Sequence, residues 1–458
     1  MYEINFNQKQ HVHFTGIGGI SMSALAEILL AKGFRVSGSD SKESELTDKL
    51  TALGATIVYE QSEKNITKNI DFLVYTAAVK DDNAELVKAR ELSIPTLSRA
   101  EFLGQLMKTY ESSICISGTH GKTTVTSMIS QILLECCDPT ILVGGVLNAI
   151  NGNAHIGSSK IMVNESCEYT NSFLSFFPTT AIILNVREDH MDFFKDIYDI
   201  RNSFKKFAGL VPDDGTVIIN TEIDDYEFFT NDLKCKVITY GKSSSADYTA
   251  SNITYNNVAC AEFDVIRDGK TEAHITLSVP GEHNVYNSLA AIAACRDKNV
   301  DYEDIIKGLK KYSGTDRRFQ YKGTVNGITI IDDYAHHPDE IEATLKTAKS
   351  CEYNTLWCLF QPHTFTRTKA FMHEFARALS LADKVILADI YPARETDNLG
   401  ISSETLLEEV KKTGCEAYYF SDFEDIKKFI LKNCINGDLL ITMGAGNIQI
   451  VGEELIKQ

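Results

Sequence analysis

The stretch ICISGTHGKTTVTSMISQILL, residues 114–134, decides how the rest of the chain is read. Ile114, Cys115 and Ile116 form a short apolar run of the kind buried in a parallel sheet, and a glycine-rich turn and a helical pattern follow. Such a turn aims main-chain N–H groups and the positive end of the new helix at one point, which suits a phosphate. Gly118, Thr119, His120 and Gly121 would form the cradle, with Thr124 in the first helical turn. Lys122 would reach the β- and γ-phosphates, and the Thr123 hydroxyl would hold Mg²⁺. The longer pattern G-x-x-x-x-G-K-[ST] asks for glycine where this chain has Ile116, so the motif is the shorter G-T-x-G-K-T-T.

Upstream, His11 to Thr15 reads as a strand, Gly16-Ile17-Gly18-Gly19 as a turn, and the following residues to Ala31 as a helix with Gly33 as its C-cap. A second strand ends in Asp40, a carboxylate about 20 residues beyond the turn, as in a dinucleotide-type βαβ unit. Ser21 stands where the third glycine of that fingerprint belongs, which favours a ligand other than plain NAD. Gly16, Gly18 and Gly19 would allow close approach of a diphosphate, and Asp40 would accept hydrogen bonds from a ribose or a base. A further strand, Asp71 to Tyr75, ends in the small residues Thr76, Ala77 and Ala78, and a helix runs from Arg99 to Met107.

Beyond the phosphate loop, strands at Lys160–Asn164 and Thr180–Val186 deliver polar residues just past their C-terminal ends. Glu168 and His190 there are candidate metal ligands, with Glu165 and Asp189 the carboxylates most easily confused with them. Asn284 and Asn287, three apart at the start of an Ala-rich helix spanning Ser288 to Cys295, would share a face that can read an adenine edge. The pair Arg317-Arg318 suits a γ-phosphate clamp. Four more strands, at Ile328–Ile331, Thr355–Phe360, Lys384–Ala388 and Leu439–Met443, alternate with helices and end in polar clusters, so one edge of a parallel sheet gathers them.

Length and composition bound the answer. The 458 residues suggest about three domains. The net charge of −18 disfavours nucleic acid and anionic membranes as partners. Eleven scattered cysteines without a C-x-x-C point to a reducing cytoplasm rather than to zinc or disulfides. No apolar run reaches the length of a membrane span, and the N-terminus lacks a signal-peptide layout.

Taken together, HFTGIGGISMSALAE, VSGSD, GTHGKTT, ESCEYTNSFL, NVREDHMDFF, GEHNVYNSLAA, GTDRRF, DDYAHHPDEI, QPHTFTRT and the tail GAGN resemble the ATP-dependent Mur ligases of peptidoglycan synthesis over nearly the whole chain. The resemblance implies an α/β fold of three domains: a Rossmann-like UDP-sugar domain (1–107), a central P-loop ATPase domain with a parallel sheet (108–313) and a Rossmann-like closing domain (314–458). It implies ATP and Mg²⁺ at Lys122, Thr123, Glu168 and His190, adenine at Asn284 and Asn287, and Arg318 at the phosphate, with Lys122, His190 and Arg318 catalytic. The UDP-sugar would meet Gly16, Gly18, Gly19 and Asp40, and the incoming amino acid Tyr334, His336 and Arg367. Within the family the match favours the branch acting on UDP-N-acetylmuramate and L-alanine, as a cytoplasmic monomer or weak dimer. The competing readings are a recycling branch that joins a ready-made peptide to the same sugar, and a non-catalytic UDP-sugar sensor. Cys167 stands where relatives often have Asp, and Thr364 where many have Arg, which leaves more of the carboxylate recognition to Arg367.

Overall fold

The computed structural model describes residues 2–76 and 78–457; Ala77, expected at a strand end, lies outside the described residues. The chain opens with β1 (His11–Thr15), α1 (Ile20–Ala31), β2 (Arg35–Ser39), α2 (Glu45–Ala52), β3 (Thr56–Val58), β4 (Phe72–Tyr75), α3 (Ala84–Glu91), β5 (Thr96–Ser98) and α4 (Arg99–Met107). These strands form a parallel sheet in the order β3-β2-β1-β4-β5. The order reverses direction at β1, so the turn after β1 lies at the switch point where doubly wound sheets bind ligands.

Next come β6 (Ser112–Ser117), α5 (Lys122–Cys136), β7 (Thr140–Leu147), β8 (Gly152–His155), β9 (Ile161–Glu165), β10 (Thr180–Ile183), α6 (Ile197–Ala208), β11 (Thr216–Asn220) and β12 (Lys236–Tyr240). Their order is β12-β11-β10-β6-β9-β7-β8, parallel except for the β7–β8 hairpin. All four residues of β10 are buried, as are Ile114, Cys115 and Ile116 of β6. At about 1.5–3 kcal/mol for each fully buried large aliphatic, these central strands anchor the sheet. On α4, Gly104 has room only because it lacks a Cβ: one built there would lie 1.9 Å from the Ser175 carbonyl. That close approach seats the segment following Glu168 against the helix.

The remaining elements are β13 (Tyr248–Tyr255), β14 (Cys260–Arg267), β15 (Lys270–Pro280), α7 (Glu282–Asp297), α8 (Tyr302–Lys311), β16 (Gln320–Val325), β17 (Ile328–Asp333), α9 (Pro338–Ala348), β18 (Leu356–Phe360), α10 (Phe365–Ala370), α11 (Met372–Leu379), β19 (Lys384–Leu387), α12 (Ser403–Lys412), β20 (Glu416–Tyr419), α13 (Phe423–Asn433), β21 (Leu439–Met443) and α14 (Gln449–Ile456). β13, β14 and β15 form an antiparallel meander. The last sheet runs β16-β17-β21-β18-β19-β20, parallel apart from the β16 edge, with buried apolar clusters on both faces.

Contacts group the chain into two compact units, one of Met1–Glu188, Asp196–Asp247 and Ala290–Gly308, the other of Asp189–Lys195, Tyr248–Leu289 and Leu309–Gln458. Among the described residues, no helix is long and apolar enough to cross a membrane.

Several strands, β4, β9, β18 and β19 among them, begin or end one residue away from the sequence reading, and three larger differences bear on the site. α7 begins at Glu282 rather than Ser288, because Gly281 (φ +100°) turns the chain out of β15 straight into the helix. β10 stops at Ile183 rather than Val186, because Asn185 leaves the ladder to bind the phosphate loop. β17 continues to Asp333, which puts Asp332 and Asp333 inside the sheet.

Candidate active site

In the first unit, the turn between β6 and α5 has two glycines with positive φ, Gly118 (+143°) and Gly121 (+85°). Leu184 and Asn185 crowd Gly118, so that no side chain fits. Asn185 holds the turn from outside. Its carbonyl accepts from the Thr119 N–H (3.2 Å), its side-chain oxygen from the His120 N–H (2.8 Å), and its amide donates to the His120 carbonyl (3.0 Å). Gly121 is the N-cap of α5, and no side chain caps the helix. The first-turn amides of Lys122, Thr123 and Thr124 are therefore left for an acceptor from outside the helix.

Lys122 folds back into this turn. Its Nζ donates to the Gly118 and Thr119 carbonyls and to Glu168 Oε2 (2.9 Å). Burial alone would depress its pKa, but the Glu168 carboxylate outweighs that and holds the ammonium above the usual lysine range. Glu168 is 2% exposed. A buried carboxylate, a hydroxyl at Thr123 and uncapped amides form an oxygen-rich donor set suited to a triphosphate and Mg²⁺.

The turn between β1 and α1 is built differently. The Gly16 (φ +83°) and Ile17 N–H groups donate to the Ser39 carbonyl at 2.8 and 3.0 Å, and the Gly19 N–H donates to the Gly16 carbonyl. The Gly18 N–H donates to Asp40 Oδ2 at 2.8 Å, and a Cβ on Gly18 would meet the same oxygen at 2.9 Å. Asp40 therefore engages its own loop. Gly19 is the N-cap of α1 and again no side chain caps the helix, so the outward donors are the amides of the first turn after Gly19.

In the second unit, Tyr334 and His336 lie just past the C-terminal end of β17 and Arg367 on α10, past β18, whereas Arg318 precedes β16, His190 lies in the Asp189–Lys195 segment, and Asn284 and Asn287 are on α7. The Arg317 guanidinium is committed to Asp332 and to the Gly444 and Gly446 carbonyls. Its neighbour Arg318 lies over the Tyr334 ring at 5.4 Å. Arg318 also lowers the nearby Asp333 carboxyl, which burial nevertheless pushes up to about 6. Tyr334, His336, His363 and Tyr391 form a run of ring contacts with centroids 5.3–5.8 Å apart. His336 Nδ1 lies 3.0 Å from the Tyr334 carbonyl, which assigns the proton to that nitrogen and leaves Nε2 as an acceptor. His363 Nδ1 faces an Arg367 N–H donor at 3.2 Å, which assigns the opposite tautomer. Burial pushes both imidazoles down to about 4, so they are neutral near pH 7.

Arg367 donates to Asp189 Oδ1 from NH2 (3.0 Å) and Nε (3.3 Å). Burial would raise the Asp189 carboxyl, but Arg367 holds it well below the usual carboxylate range. His190, beside it, has φ +55° and lies 3.8 Å from the other Asp189 oxygen. Asn287 Nδ2 donates to Asn284 Oδ1 (3.0 Å), and Asn284 Nδ2 to the Pro280 carbonyl (2.7 Å), so the two amides do share one face of α7. The hold of Asn185 on the phosphate loop and the pairing of Asp189 with Arg367 had no signal in sequence, since each joins residues far apart in the chain; His363 lies within the QPHTFTRT motif, which does not reveal its part in the ring contacts.

Strand–turn–helix phosphate loops on parallel sheets mark a nucleotide-binding α/β protein, and the chain belongs to the Mur ligase family, a family of ATP-dependent ligases. Residues 11–111 match the Mur ligase family catalytic domain, 116–295 the Mur ligase middle domain and 317–446 the Mur ligase glutamate ligase domain. It is 59% identical to a UDP-N-acetylmuramate–L-alanine ligase of Lachnospira eligens and 55% identical to one of Agathobacter rectalis, in each case over all of both chains. Among solved structures it resembles a UDP-N-acetylmuramate-alanine ligase from Thermotoga maritima (TM-score 0.80, 31% identity, 98% of each chain). It also resembles a murein peptide ligase from Psychrobacter arcticus (TM-score 0.71, 25% identity, 98% of each chain).

Proposed function

We propose that this chain is an ATP-dependent ligase joining L-alanine to the carboxylate of UDP-N-acetylmuramate, with release of ADP and phosphate. The observation that carries the reading is Lys122, held by Glu168 inside a glycine turn that opens an uncapped helix. Full-length identity of 59% to a relative of that name supports the choice of substrates.

A free carboxylate is a poor electrophile, so the substrate carboxylate oxygen first attacks the γ-phosphorus of ATP and ADP leaves. The alanine amine then attacks the acyl phosphate carbonyl, and phosphate departs with the original carboxylate oxygen. Lys122 and Arg318 stabilise charge on the phosphoryl group as it moves. Thr123, Glu168 and His190 would hold Mg²⁺, which supplies Lewis-acid neutralisation of phosphate charge. Arg367 offers its guanidinium fork to the alanine carboxylate. His336 Nε2, as an acceptor, would take a hydrogen bond from the ammonium group of the amino acid, and His363 Nε2, as a donor, would give one to its carboxylate. The Gly16–Gly19 turn and Asp40 bind the UDP-sugar, and Asn284 and Asn287 the adenine. We place the domain boundaries after residues 107 and 313, and the enzyme in the cytoplasm as a monomer or weak dimer.

The test is phosphate release from ATP, Mg²⁺ and UDP-N-acetylmuramate, comparing L-alanine with the free stem tripeptide. Stimulation by L-alanine alone is expected. Stimulation by the tripeptide alone would move the chain to peptide recycling, and UDP-sugar binding without any turnover would make it a sensor.

A further inference from the structure

Glu85, near the N-terminus of α3, is fully buried, yet no step above uses it. Its Oε2 accepts from Thr15 Oγ1 (2.7 Å), Ser39 Oγ (2.8 Å) and His13 Nε2 (3.3 Å), and its Oε1 from Asn65 Nδ2 (2.7 Å). Thr15, Ser39 and His13 are themselves 0–2% exposed. A buried carboxylate is costly unless its lone pairs are satisfied, and here four donors converge on it. Burial on its own would raise its pKa, but these hydrogen bonds outweigh that and keep the carboxyl below its ordinary value.

The donors are not scattered. Thr15 is the last residue of β1, directly before Gly16, and Ser39 is the last of β2, directly before Asp40. The Ser39 carbonyl takes the Gly16 and Ile17 N–H groups, and Asp40 takes the Gly18 N–H. Glu85 thus ties together the two strand ends from which the whole first glycine turn hangs. It does so through side-chain hydroxyls, so no amide of the turn is spent on it.

We infer that Glu85 is a positioning residue for the UDP-sugar: it fixes the β1 and β2 ends so that the Gly16–Gly19 turn is preorganised for the diphosphate. The inference rests on the substrate reading proposed above.

The experiment is calorimetric titration of UDP-N-acetylmuramate into the full-length protein without ATP or alanine, for the parent, Glu85→Gln and Ser39→Ala, followed by steady-state kinetics. Glu85→Gln keeps the volume but brings an amide N–H2 group against the hydroxyl donors, and is expected to weaken binding about tenfold or more. Ser39→Ala is expected to act in the same direction but less, with KM for ATP and for alanine unchanged in both. A merely architectural role would lower the fraction of competent protein, seen as reduced stoichiometry, without changing the Kd of the folded fraction. Parent-like affinity in Glu85→Gln overturns the inference. If Glu85→Gln does not fold, parent-like affinity in both Ser39→Ala and Thr15→Val overturns it equally. Failure of the parent itself to bind the UDP-sugar overturns the substrate reading, and is told apart because the parent is the control.

Discussion

The two glycine turns of the first unit, Gly16–Gly19 and Gly118–Gly121, start from the same plan and diverge in their charges. Each follows a buried parallel strand, has glycine at positive φ, and opens a helix that no side chain caps. In the first, a carboxylate (Asp40) takes a loop amide, and no cation stands in the turn. In the second, a lysine occupies the turn and the carboxylate (Glu168) holds the lysine. Neutral donors suffice for a diphosphate that only has to be held. A phosphoryl group that moves develops charge, and a preorganised cation answers it. On the proposed reading, the first turn is a binding device and the second a catalytic one.

That contrast can be broken by substitution. Lys122→Ala should lower turnover by at least ~10²–10³ while leaving UDP-sugar affinity unchanged, read by steady-state kinetics beside titration. Turnover within tenfold of the parent would remove Lys122 from the chemistry. Glu168→Gln should cost roughly ten- to a hundredfold in kcat and raise the Mg²⁺ concentration needed for half-maximal rate, since it loses one charge-assisted partner. Arg367→Ala, outside both turns, should raise KM for alanine by at least about tenfold without affecting KM for ATP. The smallest effect is expected from Asp40→Asn, about three- to tenfold weaker UDP-sugar binding with kcat retained. A kcat loss in Asp40→Asn as large as in Lys122→Ala would erase the distinction between the turns.

The parallel strands were legible because strands buried on both faces spell near-continuous apolar runs. β1, α4 and β21 fall on the residues the pattern gives. The β13–β15 meander and the β7–β8 hairpin were not, since their alternation is interrupted by polar residues and their burial is mixed. Local motifs located the glycine turns and the polar clusters, but not which partner each residue holds. Arg317 and Arg318 are adjacent and chemically identical, and only carbonyls near position 445 and a carboxylate at 332 separate the committed one from its neighbour. Glu85 and the pairing of Asp189 are silent in sequence for the same reason: the partners of Glu85 lie 20 to 72 residues away, from Asn65 to His13, and Arg367, the partner of Asp189, lies 178 residues away.

The central claim, that the Lys122 turn delivers a phosphoryl group onto a carboxylate, is tested most directly by labelling the carboxylate of UDP-N-acetylmuramate with a heavy oxygen isotope and analysing the phosphate released on reaction with ATP and L-alanine. Attack through the carboxylate oxygen predicts one labelled oxygen in each phosphate formed, with the rate of its formation lowered at least ~10²–10³-fold in Lys122→Ala. Phosphate free of label during amide formation would contradict the account.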